Sequence, residues 1–308
     1  MKITLDLDQL LAEGKLSAEE CERLRELGGQ ATGSLAFSIL ISFGVVAVGG
    51  AVLALVPTPV TAITLGLVIA GVGAFLARIL PTQWRLLCGT CTLVGALMLG
   101  GGIIAQGHGE PVTFLTTAVI FAIAAAFTRS ALLSVLAIVV SSPALGSGTE
   151  YEHAAYSLVV ERPLATILIY SIVGVGAYAL STVLPAAYRR VAVAAAAASA
   201  FIVNFGFWVG SLWGNGRSED AAIVSDESFA VVWAIALVGT GIWAWRNNRR
   251  WLLNLAAVFA GIHFYTQWFE RLHASPATVL LAGLLTLAMA FALRHANVAM
   301  TSASSPSA

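Results

Sequence analysis

The chain has 308 residues, of which 58% are hydrophobic and only 10% charged, with a mean hydropathy of +0.87. A water-soluble domain carries about a quarter charged residues, so the polar side chains here are too few to cover a globule in water. Soluble enzyme classes drop out. The 16 basic and 16 acidic residues cancel to zero, and their placement says more than their sum.

Residues 1–34 form a charged head. Seven acids in its first 30 residues, and no short apolar stretch with a cleavage site, exclude a signal peptide. A helix over 7–13 is expected to stop at Gly14. Ser17-Ala18-Glu19-Glu20 then fits a capping box, in which the Ser17 hydroxyl and Glu20 carboxylate satisfy orphan backbone donors. The second helix is expected to end at Gly28-Gly29, the residues best suited to a left-handed cap. The leucine face of this helical hairpin is too small to stand alone. Two readings are open: a contact to a cytoplasmic protein partner through residues 1–30, or a cap on the protein's own inner loops.

Ten continuous apolar runs follow, at 35–56, 60–80, 86–105, 112–127, 131–145, 164–184, 191–212, 229–245, 252–269 and 277–293. A helix needs about 20 residues to cross the bilayer, so each run is a candidate span, the fourth and fifth being short. The loops 146–163 and 214–228 are rich in Gly, Ser and acids and read as solvated. The tail 294–308 ends in Ser, Ala, Thr and Pro and reads as disordered.

Cytoplasmic loops collect Lys and Arg. With the N-terminus inside, Lys2, Lys15, Arg23, Arg25, Arg78, Arg85, Arg129, Arg189, Arg190, Arg246, Arg249, Arg250 and Arg294 fall inside, and only Arg162, Arg217 and Arg271 outside. Beyond the head, every Asp and Glu falls on the outer side. Tryptophan prefers the headgroup level. Trp84, Trp243, Trp245 and Trp251 fall at inner ends, and Trp208, Trp213, Trp233 and Trp268 at or near outer ends. The expected fold is therefore an all-α polytopic transmembrane bundle, N-in and C-in, comprising the head (1–34), the membrane domain (35–293) and the tail (294–308). The bilayer itself is the first partner, and the bacterial inner membrane the expected location.

Polar groups at depth are functional candidates by default. Asn204 lies about 21 Å along its helix past Arg190, and His263 about 20 Å past Arg250, so the two share a depth. Gln267 sits one turn above His263, Glu270 marks the outer end, and Gln106 and His108 close the third span. These six residues, Gln106, His108, Asn204, His263, Gln267 and Glu270, are expected to line an outward-facing pocket for a small polar ligand. The competing reading makes Asn204 and His263 interhelical hydrogen bonders, each contributing about 1 kcal/mol.

Other motifs carry less. Cys88-Gly89-Thr90-Cys91 has no neighbouring ligand to complete a metal site. His108, Glu110 and His153 are irregularly spaced for metal. Small residues at Gly66/Ala70/Ala74 and Ala96/Gly100 favour close helix approach. Gly100-Gly101-Gly102 predicts either a break or a close backbone approach. No catalytic constellation is found, no cofactor or metal is expected, and no basic run stands clear of the membrane for nucleic acid.

The segment Leu10-Leu11-Ala12-Glu13-Gly14-Lys15-Leu16-Ser17-Ala18-Glu19-Glu20 resembles the head of an uncharacterised bacterial membrane-protein family, domain of unknown function number twenty-one fifty-seven. Gly44–Gly50, the set Gly95, Gly100, Gly102 and Gln106, and the stretch from Arg249 to Phe269 with Asn254 are similar to its first, third and late spans. The family is expected to place an aromatic after the glutamine and a tryptophan in the first outer turn. This chain has Gly107-His108 and Pro57-Thr58-Pro59 instead. The resemblance implies architecture and no activity. Ten helices with both ends inside also resemble the layout of the drug/metabolite transporter superfamily, without a sequence echo between 35–145 and 164–293. Two functions stay open: a structural or regulatory membrane protein, or a transporter or small-ligand binder.

Overall fold

The computed structural model describes residue 10 and residues 17–79, 84–152, 155–215, 224–272 and 275–302. The helix expected over 7–13 lies outside them, save Leu10. Among these residues are ten α-helices: α1 (Ala18–Leu55), α2 (Pro59–Ile79), α3 (Arg85–Gln106), α4 (Pro111–Thr128), α5 (Ala131–Ser141), α6 (Pro163–Val183), α7 (Ala186–Trp213), α8 (Asp226–Arg246), α9 (Arg250–Leu272) and α10 (Pro276–Ser302). Pro111 and Pro163 open their helices at the first turn, where proline's missing N–H costs nothing.

Each apolar run becomes a helix because lipid offers the backbone no partner, so every N–H and C=O must be satisfied within the segment. Hydroxyls inside the runs obey the same rule. Ser42, Thr92, Thr116 and Thr128 each donate to the carbonyl four residues back, at 2.7–2.8 Å. Eight of the helices are long and apolar enough to cross a membrane. The two outside that set are α5, which is short, and α9, which carries Asn254, His263, Tyr265 and Gln267 in its middle. The polarity of α9 is tolerated because its side chains are half-buried along almost its whole length, against α7, α8 and α10.

Three expectations need correction. The head helix does not end at Gly28-Gly29. It runs unbroken from Ala18 into the first span as 38 residues of α1, or about 57 Å. Two glycines weaken a helix by only about 1 kcal/mol each, which the helical segments on both sides offset. The tail is helical to Ser302, because Arg294–Met300 holds no breaker; residues 303–308 lie outside the described set. The loop 146–163, expected to be solvated, is not irregular throughout. Strands β1 (Ser147–Glu152) and β2 (Ala155–Val160) pair antiparallel with Ser147 opposite Val160 and Tyr151 opposite Tyr156. The Ser147 and Thr166 hydroxyls, 2.9 Å apart, tie this hairpin to α6.

The capping box at the start of α1 is formed. The Ser17 backbone N–H donates to Glu20 Oε2 at 2.9 Å, and the Glu20 N–H donates to Ser17 Oγ at 3.2 Å. The backbone and hydroxyl donors of Ser17 hold the Glu20 carboxyl below its ordinary value of 4.5. A depressed carboxylate stabilises at pH above its unfolded value and loses that contribution as pH falls through the folded one. Amide exchange at the start of α1 is therefore expected to accelerate in the wild type as the pH falls below the carboxyl's ordinary value of 4.5, beyond the intrinsic change, and to lose that excess in Glu20→Gln. An identical profile in both would remove Glu20 from the cap.

The contacts divide the chain into two units, Met1–Gly109 and Glu110–Ala308. In the first, α2 and α3 run antiparallel with their backbones in contact. A Cβ on Gly73 would lie 2.6 Å from the Thr92 nitrogen, and one on Gly102 would lie 2.9 Å from the Pro59 carbonyl. Gly66 and Gly95 face each other's backbones between these points. Of the Gly100-Gly101-Gly102 run it is Gly102 that accommodates the close approach, while Gly101 faces open space, and α3 is not broken there. Helix α1 packs mainly on α3, with Phe37 edge-on to Trp84 at 5.7 Å. In the second unit α6 pairs with α7, α4 with α5 and α8 with α9, while α5 and α8 both lie against α7.

Candidate functional site

The second unit's core gathers Ile167, Phe207, Phe229, Trp233, Leu237, Ala256 and Phe259 from α6, α7, α8 and α9. Trp233 is at its centre, fully buried at 0% exposure. Its indole stacks parallel to Phe207 at 6.5 Å and meets Phe259 at 6.4 Å. This corrects the expectation that Trp233 marks an outer interface. Seven residues past Asp226 and about 10 Å into its helix, its ring is enclosed by the core and has no surface to offer a headgroup.

Asn204 supplies the polar partner for that indole. The Trp233 Nε1–H donates to Asn204 Oδ1 at 2.9 Å, and Asn204 Nδ2 donates to its own helix at the Ala200 carbonyl, 2.8 Å away. The amide is thus tied both to α8 and to α7. One helix further, the His263 ring lies edge-to-face with Trp233, with centroids 4.8 Å apart and planes at 74°. Its Nδ1 is buried with no hydrogen-bond partner. Asn204 and His263, placed at one depth by counting residues, both touch Trp233. A neutral imidazole has one donor and one acceptor nitrogen, so the unpartnered Nδ1 is unused hydrogen-bonding capacity.

A second polar layer joins α7, α9 and α10 one turn on. Trp208 Nε1 donates to Thr266 Oγ1 at 3.0 Å, linking α7 to α9. The Tyr265 and Thr286 hydroxyls share a 2.8 Å hydrogen bond between α9 and α10. Gln267 is half-buried on α9, and Glu270 is exposed near its end.

The remaining two predicted site residues lie in the other unit. Gln106 is the exposed last residue of α3. His108 follows in the turn, exposed, with φ +52°. Within the second unit, Asn204 and His263 converge on Trp233, while Gln267 and Glu270 lie further along α9. Cys88 and Cys91 are buried free thiols on α3. Among the described residues, no three His, Cys, Asp or Glu side chains come close enough to hold a metal ion; His153 lies outside them.

Sequence reasoning missed Trp233. The available signal was its own depth count, since a tryptophan a third of the way along a span needs an internal acceptor for its N–H. No protein-family model, curated protein or solved structure matches the chain.

Proposed function

We propose that this is a structural or regulatory membrane protein without enzymatic activity, in which Asn204 and Trp233 lock the α7–α8–α9 bundle. The proposed topology is ten crossings with both termini in the cytoplasm, in the bacterial inner membrane. The head at the start of α1 would contact a cytoplasmic partner. Membership of the uncharacterised family named above is part of the proposal and rests on the head and glycine motifs. One observation carries the structural reading: the Asn204 amide accepts from the Trp233 indole on α8 and donates to the Ala200 carbonyl of its own helix, the bonding pattern of a helix tie.

A second reading, a small-ligand binder or transporter using the outer pocket, is favoured by one specific feature. His263 Nδ1 is buried and has no partner. The two readings separate by water access. In a chain with Cys21, Cys88 and Cys91 replaced, single cysteines at 204, 263 and 270 would be exposed to a membrane-impermeant thiol reagent in intact cells. The expected result is labelling at 270 and none at 204 or 263. Labelling at 263 would open a path to the imidazole and make the binder reading the better one.

A further inference from the structure

Charge in the second unit is segregated end from end, with Arg162 beside Glu161 an exception among the described residues. Ser134 Oγ donates to the Val191 carbonyl at 2.9 Å, which sets the start of α5 beside the start of α7. Tyr178, near the end of α6, meets both Trp243 and Arg249. The turns after α4, α6 and α8 therefore share one end, and that end carries Arg129, Arg189, Arg190, Arg246, Arg249 and Arg250. The described carboxylates of the unit, on Glu110, Glu161, Asp226, Glu227 and Glu270, belong to the opposite helix ends.

The α8–α9 turn concentrates this pattern. Residues 243–251 read Trp-Ala-Trp-Arg-Asn-Asn-Arg-Arg-Trp, three indoles and three guanidiniums with no acid between them. Trp243 and Trp245 are 42% and 55% exposed, as rings at headgroup level should be. Arg246 and Arg250 are exposed, but Arg249 is fixed. Its guanidinium carbon stands 5.5 Å above the Tyr178 ring, which is itself braced edge-on by Trp243 at 5.6 Å. Its Nε is buried with no acceptor. A guanidinium held in place, with its Nε unpartnered and no carboxylate against it among the described residues, calls for an anion from outside the chain. A planar fork of N–H donors suits phosphate oxygens better than a point charge does.

We propose that the α8–α9 turn is a binding site for the phosphate of an anionic phospholipid in the adjacent leaflet. Arg249 is the fixed donor, Arg246 and Arg250 draw the headgroup in, and Trp243 and Trp245 lie along the acyl–headgroup boundary. This site is independent of whether Asn204 and His263 line a pocket.

The test uses the full chain in neutral detergent, titrated with phosphatidylglycerol or phosphatidylcholine, with bound lipid counted by native mass spectrometry. Phosphatidylglycerol is expected to bind selectively. Each exposed arginine near the surface contributes about fivefold in affinity, so Arg246→Gln/Arg250→Gln should lose about twentyfold or more of that preference. Arg249→Gln should abolish it, and Arg249→Lys, which keeps the charge and loses the fork, should fall between. Arg294→Gln, exposed on α10 outside the turn, should leave it unchanged. Equal binding of the two lipids by the wild type would overturn the proposal. So would an equal loss in Arg294→Gln, or displacement of the lipid by millimolar inorganic phosphate. The double variant alters only exposed side chains, so the test stands even if Arg249→Gln does not fold.

Discussion

Gly95→Ala is expected to destabilise the protein by about 3 kcal/mol, because the added carbon has nowhere to go. It would lie 2.6 Å from the Gly66 carbonyl oxygen, 2.7 Å from the Ala70 Cα, and hard against the Ala70 backbone nitrogen. These are backbone atoms of α2, which no rotamer change can move aside. Relief requires the two helices to separate, and separation loosens the contacts at Gly66, Gly73 and Gly102 together. In lipid no hydrophobic force draws helices back, so association there rests on this close packing. Gly101→Ala is the matched control on the same helix, since nothing lies within 4 Å of its added carbon. It should be neutral or stabilise by up to about 1 kcal/mol through better helix propensity. Denaturant unfolding in detergent micelles measures both. Equal midpoints for the two variants would mean that the α2–α3 seam is not where the first unit is held.

Trp233→Ala is expected to have an effect of similar size by the opposite route. Truncating a buried tryptophan in water-soluble cores costs about 3–5 kcal/mol, part transfer and part cavity. Here the transfer part shrinks, because the unfolded reference also sits in apolar surroundings, so the value belongs near 3 kcal/mol. Trp233→Phe separates packing from hydrogen bonding. It keeps most of the ring volume but leaves Asn204 Oδ1 without its donor, at a cost of about 1–3 kcal/mol. Asn204→Leu strands the indole N–H instead. Trp233→Phe/Asn204→Leu, which removes both polar partners, should be less destabilised than the two single variants added together. Simple additivity would show that the 2.9 Å contact couples nothing.

The helical architecture was legible because lipid leaves few options. A continuous apolar run of 16 residues or more in lipid is a helix, and the runs expected from 60, 112, 164 and 277 begin one residue after the prolines that open those helices, Pro59, Pro111, Pro163 and Pro276. What escaped reading depended on neighbours. Gly28-Gly29 look like a stop signal in isolation, yet helical segments on both sides carry the backbone through. The 147–160 hairpin alternates residue types only weakly, and its polar composition suggested a loop. For the candidate site, counting residues placed Asn204 and His263 at one depth. It could not say that a tryptophan on a third helix stood between them, since facing is set by how α7, α8 and α9 pack. That packing turns a polar pair expected to face a pocket into one whose asparagine is occupied.

The unbroken α1 also fixes a phase. An α-helix turns about 100° and rises 1.5 Å per residue, so the compass direction in which the head points is set by the number of residues between Ser17 and the first span. Inserting one residue after Gly33 would swing the Ser17–Glu20 surface about 100° around the shaft and lift it 1.5 Å, while leaving each of its own contacts intact. Any surface that engages the head must therefore meet it at one azimuth. Gly28 and Gly29, where the shaft is weakest, are the place where that azimuth can yield.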